Sequence, residues 1–194
     1  MSKLGGKGTA LKKLMEAGFT VPKFFVIPVE EKLDTDEIAK SVQELGAKKL
    51  AVRSSAVGED GTKHSHAGEF LTMLNVAPAK VVAAIKRVRA SGPKMAVIVQ
   101  EMIQGDESGV AFSVHPVTGD RNQMVIESVK GLGEQLVSGK VTPTTHITKK
   151  SQAKSNLEKT ILKIEKHFGY PVDVEWTRKG KMLYILQSRP ITTL

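Results

Sequence analysis

Two β-prone segments near the C-terminal end constrain the fold of this chain more than any other feature. Residues 172–177 and 182–187 are rich in β-branched, aromatic and other apolar side chains, and a short turn containing Gly180 separates them. A connection this short joins antiparallel strands, because a parallel pair needs a crossover of a dozen or more residues. The segments therefore predict an antiparallel hairpin, which argues against a doubly wound parallel sheet.

The rest of the chain mixes helical and strand-like periods without the strict alternation of a parallel α/β sheet. Ser155 and Glu158 have the spacing of a capping box at the start of one helix, and Asp34 and Glu37 repeat that spacing earlier. This mixture predicts an α+β fold. Helices are predicted at residues 9–17, between Asp34 and Gly46, after Pro78 and between Ser155 and Gly169, and further strands at 24–27, 50–52, 95–99, 110–114 and 124–127.

Composition excludes several classes of protein. The 194 residues include no cysteine, so a disulfide framework, a cysteine–zinc site and a cysteine nucleophile are impossible. No apolar run approaches the ~20 residues that span a bilayer, and the N-terminus has no signal-peptide core, so we expect a cytoplasmic protein without a membrane partner. The net charge of +9 predicts an anionic partner and leaves open a nucleic acid, a phosphate ligand or an acidic protein.

The hairpin also places polar side chains on one face of its strands. Asp173 and Glu175 are two residues apart on the first strand, and Gln187 and Arg189 are two apart on the second. Two carboxylates and an amide oxygen suit Mg²⁺ bound with nucleotide phosphates, which Arg189 would help to neutralise. The alternative is a solvated polar face with a cross-strand salt bridge, and the sequence leaves the pairing register open.

Two segments in the first half fit phosphate binding. Lys7 lies in a glycine-rich stretch just before the first predicted helix, where free N–H groups and a lysine can hold an anion. The alternative there is a plain flexible turn, since the spacing of a P-loop is absent. Arg53 is predicted to end a buried strand, where its guanidinium would either meet a phosphate or pair with a nearby acid. Residues 58–68 are predicted to form a mobile flap.

Two more polar residues follow predicted strands. Gln100 closes the strand that begins at residue 95, where it would either meet an adenine edge or simply mark the strand leaving the core. Glu127 is predicted to end a strand, either as a buried acid that faces a site or as a surface glutamate. The five histidines have no carboxylate at a fixed spacing, so the sequence predicts neither a catalytic triad nor a histidine metal site.

Taken together, these segments resemble the ATP-binding domain of phosphoenolpyruvate synthase and pyruvate phosphate dikinase, which rifampin phosphotransferase shares. The matching motifs occur in family order from one end of the chain to the other, so the resemblance is specific although each motif alone is weak. They are Gly5-Gly6-Lys7-Gly8, Val21-Pro22, Ala51-Val52-Arg53-Ser54-Ser55-Ala56, Glu59-Asp60, Ala67-Gly68, Leu74-Asn75-Val76, Ala96-Val97-Ile98-Val99-Gln100, Gly109-Val110-Ala111-Phe112, Pro116-Val117-Thr118-Gly119, Gly131-Leu132-Gly133-Glu134, Asp173-Val174-Glu175-Trp176 and Leu186-Gln187-Ser188-Arg189-Pro190.

The resemblance implies a fold of ATP-grasp type, in which two α+β lobes close on a nucleotide. Here it implies one domain over residues 1–194, with lobes at about 1–92 and 93–194. It implies ATP and Mg²⁺ as cofactors, with phosphate contacts from Lys7, Arg53 and Arg189, the catalytic candidates. The other implied positions are Gly68 and Thr72 in a loop over the phosphates, Gln100 at the adenine end, Glu127 at the nucleotide, and Glu175 and Gln187 as metal ligands with Asp173 close by.

The chain is much shorter than the usual family domain. Residues 27–50, 76–95 and 148–155 look abbreviated, no Thr-Ser-His motif of a phosphohistidine carrier is present, and no room remains for a pyruvate-binding barrel. The resemblance therefore implies one half-reaction, in which the β-phosphoryl group of ATP passes to a histidine on a separate carrier protein, with AMP and phosphate formed.

Two other functions compete with this one. The first is an ATP-binding regulatory or sensor module without transfer activity. The second is a nucleic-acid-binding protein, which only the charge suggests. It ranks last because the basic residues are scattered and no recognition motif is present.

Overall fold

The computed structural model describes residues 3–58, 71–131 and 142–192. The contacts within the chain divide it into two compact units. The first consists of Met1–Lys12 and Pro22–Met102, and the second of Lys13–Val21 and Ile103–Leu194. None of the helices in the described ranges is long and apolar enough to cross a membrane.

The first unit is a four-stranded antiparallel sheet with two helices on one face. Its strands lie in the order β1-β4-β2-β3. The helices of that face bury an apolar stripe against the sheet, and together they enclose the core of this unit. The elements are helix α1 (Gly5–Glu16), which begins in this unit, strand β1 (Phe24–Ile27), helix α2 (Thr35–Leu45), strands β2 (Leu50–Ala56) and β3 (Thr72–Val76), a 3-10 turn (Pro78–Lys80), helix α3 (Val81–Arg89) and strand β4 (Met95–Glu101).

Local chemistry defines both ends of α2. The Asp34 carboxylate accepts hydrogen bonds from the backbone N–H groups of Asp36 and Glu37, which have no partner inside the helix. Gly46 ends α2 in the left-handed conformation, with φ of 65°, which glycine adopts without steric cost. The stripe that the sequence predicts is the buried one, namely Ile38, Val42 and Leu45.

The second unit is a five-stranded antiparallel sheet with one helix packed on its face. Its strands lie in the order β7-β6-β5-β8-β9. The helix α4 begins at a complete capping box, in which Ser155 caps the Glu158 N–H and the Glu158 carboxylate accepts from the Ser155 N–H. The elements are strands β5 (Glu107–Phe112), β6 (Gln123–Lys130) and β7 (Thr144–Lys149), a 3-10 turn (Lys150–Gln152), helix α4 (Asn156–Phe168) and strands β8 (Val172–Lys179) and β9 (Met182–Pro190).

The two antiparallel sheets with their helices confirm the predicted α+β class, and β8 and β9 confirm the hairpin. The sequence-based limits of several elements are wrong, and three of these differences concern candidate site residues. Helix α1 begins at Gly5 rather than Thr9. Strand β2 runs on to Ala56, so Arg53 lies inside it, and β6 runs on to Lys130, so Glu127 lies in its middle. The backbone ladder continues past the apolar residues, because strand pairing depends on N–H and C=O groups rather than on side-chain polarity.

Candidate functional site

The glycines around Lys7 form the first turn of α1, which corrects the prediction that they precede the helix. The Ser55 hydroxyl accepts a hydrogen bond from the Gly8 N–H at 3.0 Å and donates one to the Leu4 carbonyl at 2.8 Å. A Cβ at Gly5 would overlap the carbonyl oxygen of Ser55. The glycines therefore allow α1 to lie directly against β2, which fixes the backbone that carries Lys7.

Three predicted residues share one face of the first sheet. Arg53 is paired with Thr72 on β3 and with Ile98 on β4, and Gln100 lies two residues beyond Ile98. Side chains of paired residues, and of residues two apart, point to the same face of a sheet. This face also carries Ser55, whereas the alternating residues of β2 and β4 pack into the core beneath α2 and α3.

Gln100 has an unusual environment for an amide. The residue is only 2% exposed, and its Nε2 atom has no hydrogen-bond partner among the described residues. A buried donor without a partner costs about 1–3 kcal/mol. A ligand atom that accepts a hydrogen bond would remove this cost, which fits the predicted position at the adenine end.

The second sheet aligns polar residues of three strands in one row, which crosses β5 at Val110 and which we call the acidic row. Glu127 on β6 is paired with Val110 on β5, Val110 with Glu175 on β8, and Glu175 with Gln187 on β9. Directly paired side chains have their Cβ atoms about 4.5–5.5 Å apart. Glu175 and Gln187 are therefore neighbours, and the structure gives the register that the sequence left open. The acidic row is Glu127, Val110, Glu175 and Gln187.

Asp173 and Arg189 are paired two residues further along β8 and β9, on the same face as the acidic row. The Asp173 Oδ2 atom accepts from Arg189 Nε at 2.7 Å, and Arg189 Nη2 lies 2.6 Å from the same oxygen. Burial raises the pKa of the Asp173 carboxyl above its ordinary value. The Arg189 guanidinium opposes that rise, while the negative charges of Glu175 and Glu127 add to it. This face therefore concentrates negative charge on a partly buried surface.

The face can hold a divalent cation only with help from other oxygens. Within the described ranges, no group of three or more histidine, aspartate or glutamate side chains could hold a metal ion by itself. The amide oxygen of Gln187 and oxygens of a bound ligand would have to complete the coordination. Mg²⁺ fits this donor set, because it is commonly bound by one or two carboxylates together with substrate phosphates.

Some predicted residues cannot be placed, and one important residue was not predicted. Gly68 and the predicted flap lie outside the described residues, except for Gly58 at its start. Ser55 was not singled out as a site residue, although it anchors the start of α1. No sequence signal links Ser55 to Gly8, which is 47 residues away.

Comparison with known proteins places this fold and these motifs in a family. The family model described as pyruvate phosphate dikinase, AMP/ATP-binding domain, matches residues 30–93, 91–161 and 151–194. The chain belongs to this family. A probable phosphoenolpyruvate synthase from Archaeoglobus fulgidus is 33% identical to it over 204 residues, covering 75% of this chain and 27% of that protein. Phosphoenolpyruvate synthase from Pyrococcus furiosus is 31% identical, covering 95% of this chain and 31% of that protein.

This ATP-binding domain spans about a third or less of the length of the curated relatives that it matches. The alignment with the Pyrococcus furiosus protein extends over 258 positions, more than the 194 residues of this chain. That relative therefore carries insertions relative to this chain.

Solved structures confirm the ATP-grasp prediction. D-alanine–D-alanine ligase from Bacillus anthracis, complexed with ATP, matches with a TM-score of 0.61 at 13% identity, covering 97% of this chain and 55% of that one. The ATP-grasp ligase PsnB, complexed with its minimal precursor, matches with a TM-score of 0.54 at 12% identity, covering 97% of this chain and 52% of that one. At these identities the likeness shows the fold alone.

Proposed function

We propose that this ATP-binding domain is a Mg²⁺-dependent phosphotransferase that passes the β-phosphoryl group of ATP to a histidine on a separate carrier protein. The observation that carries the proposal is the acidic row with the Asp173–Arg189 pair beside it, in a chain of this family. Such a face matches the needs of phosphoryl transfer, in which catalysis consists mainly of positioning and charge neutralisation. We place the reaction in the cytoplasm.

The first unit would supply contacts to the base and to the phosphates. The buried Nε2 of Gln100 is the donor proposed for adenine. Arg53 and Lys7 are proposed to hold phosphate oxygens, Arg53 through its planar fork and Lys7 as a point charge. Thr72, the cross-strand neighbour of Arg53, and Gly68 are proposed to cover the phosphates.

The second unit would supply the metal ligands and one more cation. Glu175 and Gln187 are proposed as Mg²⁺ ligands with Asp173 close by, and Glu127 as a contact to the nucleotide. Mg²⁺ supplies charge neutralisation on the phosphates when it is bound. Arg189 is held by Asp173 through two of its nitrogens, so the orientation of its guanidinium is fixed before ATP arrives.

The proposed reaction needs no nucleophile from this domain. A nitrogen of the carrier histidine attacks the β-phosphorus of ATP, and the bond to the α-phosphate oxygen breaks with release of AMP. Water then takes the γ-phosphoryl group as inorganic phosphate and leaves a phosphohistidine on the carrier. Arg53, Lys7 and Arg189 would stabilise the negative charge that develops on the phosphate oxygens.

The test is an ATP-consumption assay with Mg²⁺, run with and without histidine carrier domains from relatives of this family. We expect AMP, phosphate and an acid-labile phosphohistidine in equal amounts when a competent carrier is present. The Glu175→Ala variant should form none of them, whereas Glu44→Ala, at an exposed glutamate in the other unit, should match the wild type.

The alternative function gives a different result in the same assay. A regulatory or sensor module would bind ATP and gain thermal stability, yet it would release no AMP with any carrier. Failure to bind Mg·ATP at all would contradict both functions.

A further inference from the structure

A groove of about 470 Å³ lies in the second unit, on the face of the sheet that carries α4. The proposed nucleotide residues of this unit lie on the opposite face, because Val174 and Trp176 alternate with Asp173 and Glu175 on β8 and pack beneath α4. Ile185 joins them in that core, because it is paired with Trp176 across a shift of register that separates it from Gln187. The groove is therefore separate from the acidic row. Its principal walls are Phe19, Leu183 and Ile185 on the apolar side, and Thr160, Lys163 and His167 on α4.

Hydrogen bonds and a ring contact hold the segment with Phe19 and Thr20 that forms one wall of this groove. The Phe19 N–H donates to the Leu14 carbonyl, and the Thr20 carbonyl accepts from the Ile185 N–H on β9. The rings of Phe19 and His167 meet edge to face, with centroids 6.2 Å apart. The groove thus exists before any ligand binds, which lowers the entropic cost of filling it.

The polar rim of the groove continues as a strongly basic surface. The two glutamates of α4 are already engaged, since Glu158 belongs to the capping box and Glu165 forms an ion pair with Lys150 at 2.7 Å. Five exposed lysines next to them have no ion pair among the described residues. This lysine surface consists of Lys149, Lys154, Lys159, Lys163 and Lys166.

We propose that the groove and the lysine surface together bind an acidic segment of a partner protein, with one apolar side chain of that segment in the groove. The charge of the surface favours an anionic partner. A nucleic acid has no aliphatic side chain to lie against Phe19 and Leu183, and a membrane surface is too flat to enter a groove beside α4. An acidic peptide satisfies both the charge and the apolar wall.

The probe is a fluorescein-labelled 16-residue peptide of glutamates with a leucine at every fourth position, titrated with the full chain by fluorescence anisotropy. We expect micromolar binding that weakens as NaCl rises from 50 to 300 mM. Reversal of two charges in K159E/K163E should weaken binding at least tenfold. The matched variant K40E/K48E makes the same charge reversal in the first unit and should change binding less than twofold.

A groove-filling variant, Thr160→Phe, tests the apolar part independently of charge and should weaken binding of the leucine-containing peptide about fivefold. An all-glutamate peptide of equal length should bind at least fivefold more weakly than the leucine-containing one. Circular dichroism spectra and melting temperatures of all variants show whether each remains folded.

Three results would overturn the proposal. The first is equal loss of binding in K159E/K163E and K40E/K48E. The second is equal affinity for the two peptides. The third is that a single-stranded oligonucleotide or phosphatidylglycerol vesicles bind more tightly than the peptide does, and that K159E/K163E weakens this binding. ATP binding by K159E/K163E is measured in parallel and should be unchanged, so the outcome does not depend on the proposed phosphoryl transfer.

Discussion

Replacing Gly5 by alanine tests whether the close approach of α1 to β2 depends on glycine. Gly5 has φ of +69°, which costs a residue with a side chain about 1–2 kcal/mol. The new Cβ would also overlap the Ser55 carbonyl oxygen, so α1 must move away from β2. That movement breaks the two hydrogen bonds of the Ser55 hydroxyl, each worth about 1 kcal/mol. The total loss in the free energy of unfolding is about 3–4 kcal/mol.

Urea denaturation followed by circular dichroism measures this loss. The free energy of unfolding falls by about 2 kcal/mol for each molar increase in urea, so the urea concentration at the unfolding midpoint should be about 1.5–2 M lower for Gly5→Ala. Gly46→Ala is the matched control, because Gly46 has a similar φ of +65° but no atom near its missing Cβ. Gly46→Ala should lose only the part of the free energy of unfolding that comes from the left-handed backbone conformation, about 1–2 kcal/mol. If Gly5→Ala is no less stable than Gly46→Ala, the close contact does not require glycine and the reasoning is refuted.

Three further predictions concern the second unit. Burial favours the neutral form of Glu158, but the N–H groups of Ser155 and Lys154 outweigh it and lower its pKa below 4.5. Glu158→Gln should therefore cost about 1–2 kcal/mol at pH 7 in urea denaturation, and the difference should shrink as the pH falls through the lowered pKa of Glu158. Because the pKa of Asp173 is raised above 3.8, Mg²⁺-dependent ATP binding should weaken on mild acidification, and Asp173→Asn should flatten that pH dependence in calorimetry. Arg189→Lys keeps the charge but loses one of the two contacts to Asp173, so ATP affinity should fall about tenfold, and full affinity in this variant would contradict the proposed role of the guanidinium fork.

The sequence predicts the parts of this fold whose signals are local. The capping residues and the apolar stripe of α4 lie within a few turns of each other, and the hairpin turn separates its strands by two residues. Two of the four edge strands, β3 and β7, were not assigned a range from the sequence, because β7 is largely exposed, β3 is only partly buried, and neither contains a buried apolar run.

The candidate site divides in the same way. The shared face of Asp173 and Glu175 follows from the two-residue period of a strand, so the sequence alone predicts it. The alignment of Glu127 with Glu175 passes through Val110 on a third strand, and no local pattern contains it. Likewise, the contact of Ser55 with the start of α1 joins residues about fifty positions apart, which requires the folded chain.

Isothermal titration calorimetry of ATP, with and without Mg²⁺, tests the central claim that the acidic row binds the metal form of the nucleotide. For the wild type, we predict that Mg²⁺ tightens ATP binding at least tenfold. For Glu175→Ala, we predict less than a twofold effect of Mg²⁺, with residual metal-free ATP binding retained through the first unit. Wild-type binding that does not depend on Mg²⁺, or full Mg²⁺ dependence in Glu175→Ala, would contradict the account.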